Sequence, residues 1–456
     1  MNKQKLFCII SVLALVFTIV AACRTVDEPP PPIPTPEPVP DYFDDSVSTD
    51  TITLQWAVWD IDMLRYYEPL IEAYKDIAPD ISIELVNLNI DTWNNDVLTH
   101  LIGGHDYDII KILDAQGYLM HVNTDMLLAL NDKATDRGIN IGDYKGIPEQ
   151  FMVDGSFYAL PFICDFWVVY YNKDVFNELD EDEEELDAVE EAQFEEDAKV
   201  SRPTNEMTFD MWSEIIINAT HGSGEDKIWG NFFHYSRSAT TLFGVLDGRN
   251  TIYDGNYDFL IPYYEAVLAL EDGRYVPRRT DVLAEPLHYR DLWLSGHLAQ
   301  LNMGTWFIAD AVNSGFNWGL AAYPVPTSNN YGNTFGRVTQ LAIPKSANHP
   351  VEAMDFITFV TGEQGAQILA SNGYIPVNMT DTAIEALIEI PGFPKDDITM
   401  GALRPSIIFL EQPLNEYIDD INTILDEVHN NIMDRVITID DGIAMMNERV
   451  GAITGN

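Results

Sequence analysis

At 456 residues, 46% of them hydrophobic, the chain is long enough to bury two or three separate cores. It carries 73 acidic against 25 basic residues, a formal net charge of −48, and a surface of that sign repels nucleic acid and anionic lipid headgroups. Of three cysteines, Cys8 and Cys23 fall at the very start, so Cys164 stands alone in the body and an internal disulfide framework there is excluded.

Lys3 and Lys5 precede an apolar run at residues 6–20, which leads into Val20-Ala21-Ala22-Cys23. The run is short for a membrane span, and small residues just before a cysteine suit signal cleavage. The pattern resembles a bacterial lipobox, which implies a signal peptide at 1–22 and a lipid on Cys23: a protein anchored at the cell membrane on the extracellular or periplasmic side, not spanning it. Without Lys3 and Lys5 the net charge becomes −50. Residues 23–50 contain "EPPPPIPTPEPVPDYFDD", whose proline density favours extended polyproline geometry and a semi-rigid stalk.

The body starts near Thr51. "TITLQWAVWD" predicts a strand, and Leu64, Tyr67, Leu70, Ile71 and Tyr74 recur at helical spacing up to Pro79. "ISIELVNLN" and "YDIIKILD" read as further strands, with a helix in "WNNDVLTHLIGG" between them. Strands alternating with helices imply βαβ units and mostly parallel sheets. "PFICDFWVVYYNKDVF" is a buried strand with a carboxylate, Asp165, at its mouth. Residues 180–197 hold twelve acids in eighteen positions, and read as a surface insertion at 180–199; no alternating Asp/Asn loop with a central glycine marks a calcium site. Beyond it, "MTFDMWSEIIINAT" and "YDFLIPYYEAVLALEDG" predict helices, and "NWGLAAYPVP" and "RVTQLAIPK" strands. "VEAMDFITFVTGEQGAQILASNG" gives one or two helices and "NEYIDDINTILDEVHNNIMDRV" a long amphipathic one.

Enzyme motifs are missing: no G-x-S-x-G, P-loop, G-x-G-x-x-G after a strand, C-x-x-C or H-E-x-x-H occurs, and no cofactor or metal is implied. With 73 acids, some carboxylate pair is always at hand, so a glycosidase dyad cannot be read from acids alone. What remains is aromatic and polar residues at expected strand ends and connections: Trp59 and Asp60, Asp114, Asp165, Trp229, Trp306 and Tyr331. In open α/β sheets ligands collect there, and aromatic faces beside carboxylates suit a sugar. Trp56, inside its strand, reads as core.

"ITLQWAVWD…YYEPLIEAYKDIAPDISIELV", "DGSFYALPFICDFWVVYYNKDVF", "LWLSGHLAQLNMGTWFIADAV" and "LAIPKSANHPVEAMDFITFVTGEQGAQILASNGYIPV" together resemble the family 1 extracellular solute-binding proteins. These are sugar-binding lipoproteins of ABC importers, distantly related to the maltose-binding protein. The resemblance implies an α/β, two-lobed type 2 periplasmic-binding-protein fold, with each lobe a mostly parallel sheet flanked by helices and hinge crossings between them. The expected division is 51–163 in lobe 1, 164–338 in lobe 2, 339–374 back in lobe 1, and a C-terminal helical part of lobe 2 at 375–456. It places Asp165 on the first crossing, Arg337 on the second and Tyr374 near the third, and makes Trp306 a sugar-stacking residue. The implied protein is a non-catalytic monomer with a sugar or oligosaccharide ligand and ABC permease subunits as partners. The alternatives are a polyamine or other cation receptor of the same fold, and a secreted carbohydrate-active enzyme. The acidic insertion and Leu298 and Gln300 in "GHLAQLNMGTW" depart from the family pattern.

Overall fold

The computed structural model describes residues 51–59, 61, 65–144, 150–177, 202–234, 236–284 and 288–455. The segment 1–22, Cys23, the proline-rich stretch 23–50, the acidic segment 180–199 and Asp60 lie outside the described residues.

In β1 (Ile52–Val58), alternation buries Ile52, Leu54 and Trp56 before Ala57 and Val58 go under as well. Helix α1 (Tyr67–Ile77) buries Tyr67, Leu70 and Tyr74, the residues whose spacing predicts it, and ends two residues before Pro79, with Ala78 as its C-cap. β1 pairs in parallel with β2 (Ile81–Asn87) on one side and β3 (Ile109–Ile112) on the other. Helix α2 (Trp93–Ile102) joins β2 to β3, and α3 (Ala115–Asn123) follows β3.

β4 (Ala159–Asn172) organises the rest. At about 3.3 Å per residue its 14 residues reach roughly 45 Å, more than one core requires. Its first half pairs antiparallel with β7 (Asn333–Ala342), from Ala159 opposite Ala342 to Phe166 opposite Gly336. Its second half pairs antiparallel with β5 (Gln300–Gly304) and β6 (Trp318–Ala322). β7 also pairs with β3, and β8 (Ile407–Leu410) runs parallel beside its first residues. The order is β2-β1-β3-β7-β4-β5.

Among the described residues, two hydrophobic clusters separate along these strands. One gathers Trp93, Ile110, Tyr118, Ala159 and Val338, the other Val169, Trp212, Tyr264, Trp293 and Val428. Cys164 packs in the first and Phe166 in the second, so the division passes through Asp165. On β7 it passes between Phe335 and Val338, and on the next connection between Ile375 and Val377.

Two local expectations are corrected, and one strand is added to those predicted. The sheets are mixed, because the strands that cross between cores pair antiparallel with their neighbours. β5, which is not among the predicted strands, carries Gln300 and Asn302, both wholly buried and satisfied by Trp212, Gly230, Asn231 and Ala239. The C-terminal part is not wholly helical, since the short apolar run Ile407–Leu410 is a strand. The long segment after β7 is two helices, α4 (Pro350–Thr361) and α5 (Glu363–Ser371), broken at Gly362. α6 (Ile418–Met433) and α7 (Ile439–Thr454) finish the chain. Among the described residues, no helix is long and apolar enough to cross a membrane.

Candidate functional site

Where β4 and β7 pass between the cores, Asp165 and Arg337 are register partners. Asp165 Oδ1 accepts a hydrogen bond from the Thr305 hydroxyl at 3.1 Å, and the Phe166 N–H donates to the same hydroxyl. Glu411, one residue past β8, is 9% exposed and lies 3.6 Å from Arg337. Its other contacts are an accepted bond from Trp167 Nε1 at 2.5 Å and one from the Ser238 hydroxyl at 3.0 Å. Asp114, Arg337 and Glu411 line one narrow crevice.

The aromatic element is Trp306, partly exposed just after β5, with its ring edge-to-face on Trp167 at 5.4 Å. Gly304 makes this possible: a Cβ there would fall 1.8 Å from the Trp306 ring. His234 also neighbours Trp167, with the ring centres 6.0 Å apart. Burial, with Arg337 and His288 nearby, pushes the imidazole down to about 4, so it is neutral at physiological pH.

On the other core's side the wall is a buried cation. Lys111 is 1% exposed, and its Nζ donates to the Tyr66 hydroxyl at 2.9 Å and the Tyr67 hydroxyl at 2.7 Å. The ammonium sits 3.5 Å from the centre of the Trp59 ring, a cation–π contact away from water. Tyr66 meets Tyr374 edge-to-face at 4.8 Å, and burial raises the Tyr374 hydroxyl to about 12.

Burial pushes the Asp165 carboxyl up to about 7, against the pull of Thr305, Arg337 and Lys111. In the unfolded chain an aspartate titrates near about 3.9. Between about 4 and 7 the folded chain therefore holds a proton that the unfolded chain has lost, and stability falls as pH rises through that window, levelling above it. Asp165→Asn is expected to flatten that part of the stability–pH curve in denaturant titrations. An unaltered slope would mean that the carboxyl ionises as freely as in water.

The structure thus brings together Asp165, Arg337, Trp306, Tyr374 and Asp114 from the sequence-derived set. Asp114 also shapes the backbone as N-cap of α3, where its carboxylate accepts from the Gly117 N–H at 2.8 Å. Three residues are placed differently. Trp59 is 5% exposed and Lys111 covers one face of its ring, so it is wall rather than open platform. Trp229 bridges Leu298 and faces Lys227 and Arg274; the chain from there to Gly304 spans about 20 Å. Tyr331 precedes β7, six residues and roughly 20 Å from Arg337, its carbonyl accepting from Ser406. Lys111, Glu411, Thr305 and His234 escaped sequence reading, although a single lysine inside the apolar run "IIKIL" was a visible signal.

Two α/β cores joined by continuous crossing strands, with a polar and aromatic junction between them, define a two-lobed binding-protein fold. The chain belongs to the bacterial extracellular solute-binding protein family, whose model matches residues 61–367. It is similar to a sugar transporter protein from Rhizobium etli solved in an open conformation, with 34% identity, a TM-score of 0.75, and coverage of 88% of this chain and 99% of that one. An ABC substrate-binding protein from Listeria monocytogenes in complex with cycloalternan has 15% identity and a TM-score of 0.71, covering 89% of this chain and 100% of its own. The sugar-binding protein MalE from Xanthomonas citri has 15% identity and a TM-score of 0.66, with 88% and 97% covered. The latter two bear on the fold alone. No curated protein matches the chain by sequence.

Proposed function

We propose that this protein is a lipid-anchored receptor that captures a sugar or oligosaccharide between its lobes and hands it to an ABC transporter permease, with no catalysis of its own. The observation that carries the reading is the charge balance of the junction. Asp165 faces Lys111, Arg337 and Thr305, while Glu411 is served by Trp167, Ser238 and Arg337. A cationic ligand such as a polyamine needs carboxylates still lacking a counter-charge, and these two already face cations. Trp306 beside hydrogen-bonding groups suits a ring with one apolar face and a rim of hydroxyls. The Rhizobium etli neighbour is described as a sugar transporter, and others hold cycloalternan, mannobiose or maltose.

A thermal-shift and calorimetry panel of sugars, sugar alcohols and polyamines tests the assignment. Ligand at ~100 times Kd stabilises the folded state by about 2.7 kcal/mol, which a melting curve detects. Binding of polyamines with no response to any sugar would overturn it, and release of a shortened sugar on prolonged incubation would make the protein an enzyme. For the anchor, Cys23→Ser is expected to move the processed protein from the membrane fraction into the soluble one in its host. An unchanged fractionation would remove the lipid from the reading.

A further inference from the structure

Beside the junction, and sharing Arg337 and Glu411 with it, lies a polar pocket of about 380 Å³. Its other walls include Ser236, Arg237, Arg279, Gln412, Asp426 and His429. Three arginines meet here in a chain with 25 basic residues against 73 acidic ones.

Each guanidinium has one carboxylate partner: Asp426 for Arg237, Asp434 for Arg279, and Glu411 for Arg337. Charge is therefore largely balanced, but hydrogen bonding is not. Among the described residues, Arg237 Nη1, Arg279 Nε, Ser236 Oγ and His429 Nε2 are buried without a partner. So is Nδ2 of Asn422, whose carbonyl oxygen accepts from Arg237 at 2.8 Å. Arg237 is 9% exposed and His429 1%, so bulk water does not serve them. Gln412 Oε1 can only accept, while Ser236 Oγ and Nε2 of the neutral His429 ring can act either way. Buried polar atoms are nearly always satisfied in folded proteins, and this many around one cavity mark a place where a ligand completes the set. The surplus is of donors, three of them N–H groups of Arg237, Arg279 and Asn422 that can only donate. A sugar hydroxyl brings a proton of its own for each oxygen, whereas an ionised carboxylate brings two oxygens that only accept and matches an arginine fork.

We propose that this pocket receives the carboxylate of an acidic saccharide, a uronic acid residue whose neighbouring ring lies at Trp306. The proposal rests on the sugar reading above and narrows its substrate class. Calorimetry on the purified protein at low ionic strength, with D-galacturonate, D-glucuronate and digalacturonate against galactose, glucose and maltose, tests it. At least one acidic saccharide is expected to bind tenfold or more tightly than its neutral counterpart, and to weaken as salt is added. Arg279→Gln is expected to abolish that preference while neutral sugars stay within twofold of the parent. Arg279→Lys, which keeps a charge beside Asp434 and guards against a folding defect, is expected to lose most of it, because the Nε–H is gone. Equal binding of acidic and neutral sugars, or a preference untouched by both variants, would overturn the pocket's role and leave the sugar reading standing. Inorganic phosphate that binds with the same Arg279 dependence, without any acidic-sugar preference, would make it a free-anion site and overturn the proposal. No response to any sugar would instead count against the sugar reading itself.

Discussion

Trp306→Ala is expected to weaken ligand binding about thirtyfold, the equivalent of about 2 kcal/mol commonly lost when a centrally placed tryptophan is truncated. The ring is partly exposed, braced edge-to-face by Trp167 and folded over Gly304, and the residue follows directly on Thr305, whose hydroxyl holds Asp165. Because Trp167 and the core beneath it remain, the melting temperature should change little. Asp165→Asn keeps shape and a hydrogen-bonding group, and for a sugar it is expected to cost less, on the order of 1 kcal/mol. For a cation the ranking would invert, because a lost charge partner then outweighs a lost stacking face. Calorimetry on the two variants therefore reads the ligand's chemical class. Intact affinity in Trp306→Ala would sink the assignment of this cleft.

Glu411→Ala is expected to be the more damaging change to the fold. Its carboxylate is almost wholly buried and accepts from the Trp167 indole and the Ser238 hydroxyl while facing Arg337. Removing it strands two donors and leaves a guanidinium without its nearest counter-charge, a class of change that costs about 3–5 kcal/mol. Glu411→Gln preserves volume but offers one oxygen and an amide that cannot accept, so it should recover only part of the loss. Urea unfolding with an unchanged slope and a lower midpoint is the expected signature. A loss under about 0.5 kcal/mol for the alanine variant, the range of an ordinary surface substitution, would show that the cluster does not hold the junction together.

Much of the first core could be read from pattern because its elements are local. Alternation in "ITLQWAV" and the spacing of Tyr67, Leu70 and Tyr74 need no distant partner to be recognised. In β4 the pattern showed only a carboxylate at the mouth of a buried strand; the family resemblance made it a crossing, and the buried neighbours change from one cluster to the other at that residue. Arg337 was legible through family resemblance, and its register opposite Asp165 gives the placement a geometric reason. Glu411 was not legible. It follows a four-residue apolar run too short to tell strand from helix, and its partners lie 244 and 173 residues away. Trp229 and Tyr331 could not be ranked against Trp306 from sequence: aromatic residues in connections look alike, and only the register of β5 and β7 tells which end of the strand they occupy.

The interleaving of the two cores has a consequence for the order in which the molecule can form. Ile110 of β3 finds its neighbour in Ala342, and Ala159 shares that same partner, so the first core's sheet stays incomplete until a strand more than two hundred residues downstream arrives. The second core in turn waits for Val428 and the last helices. Such pairings demand long loop closures before they return any contact, which makes for slow folding. A chain built this way leaves β3 and β4 without β7 until synthesis has passed residue 342, a window in which an export machinery or a chaperone can still engage it.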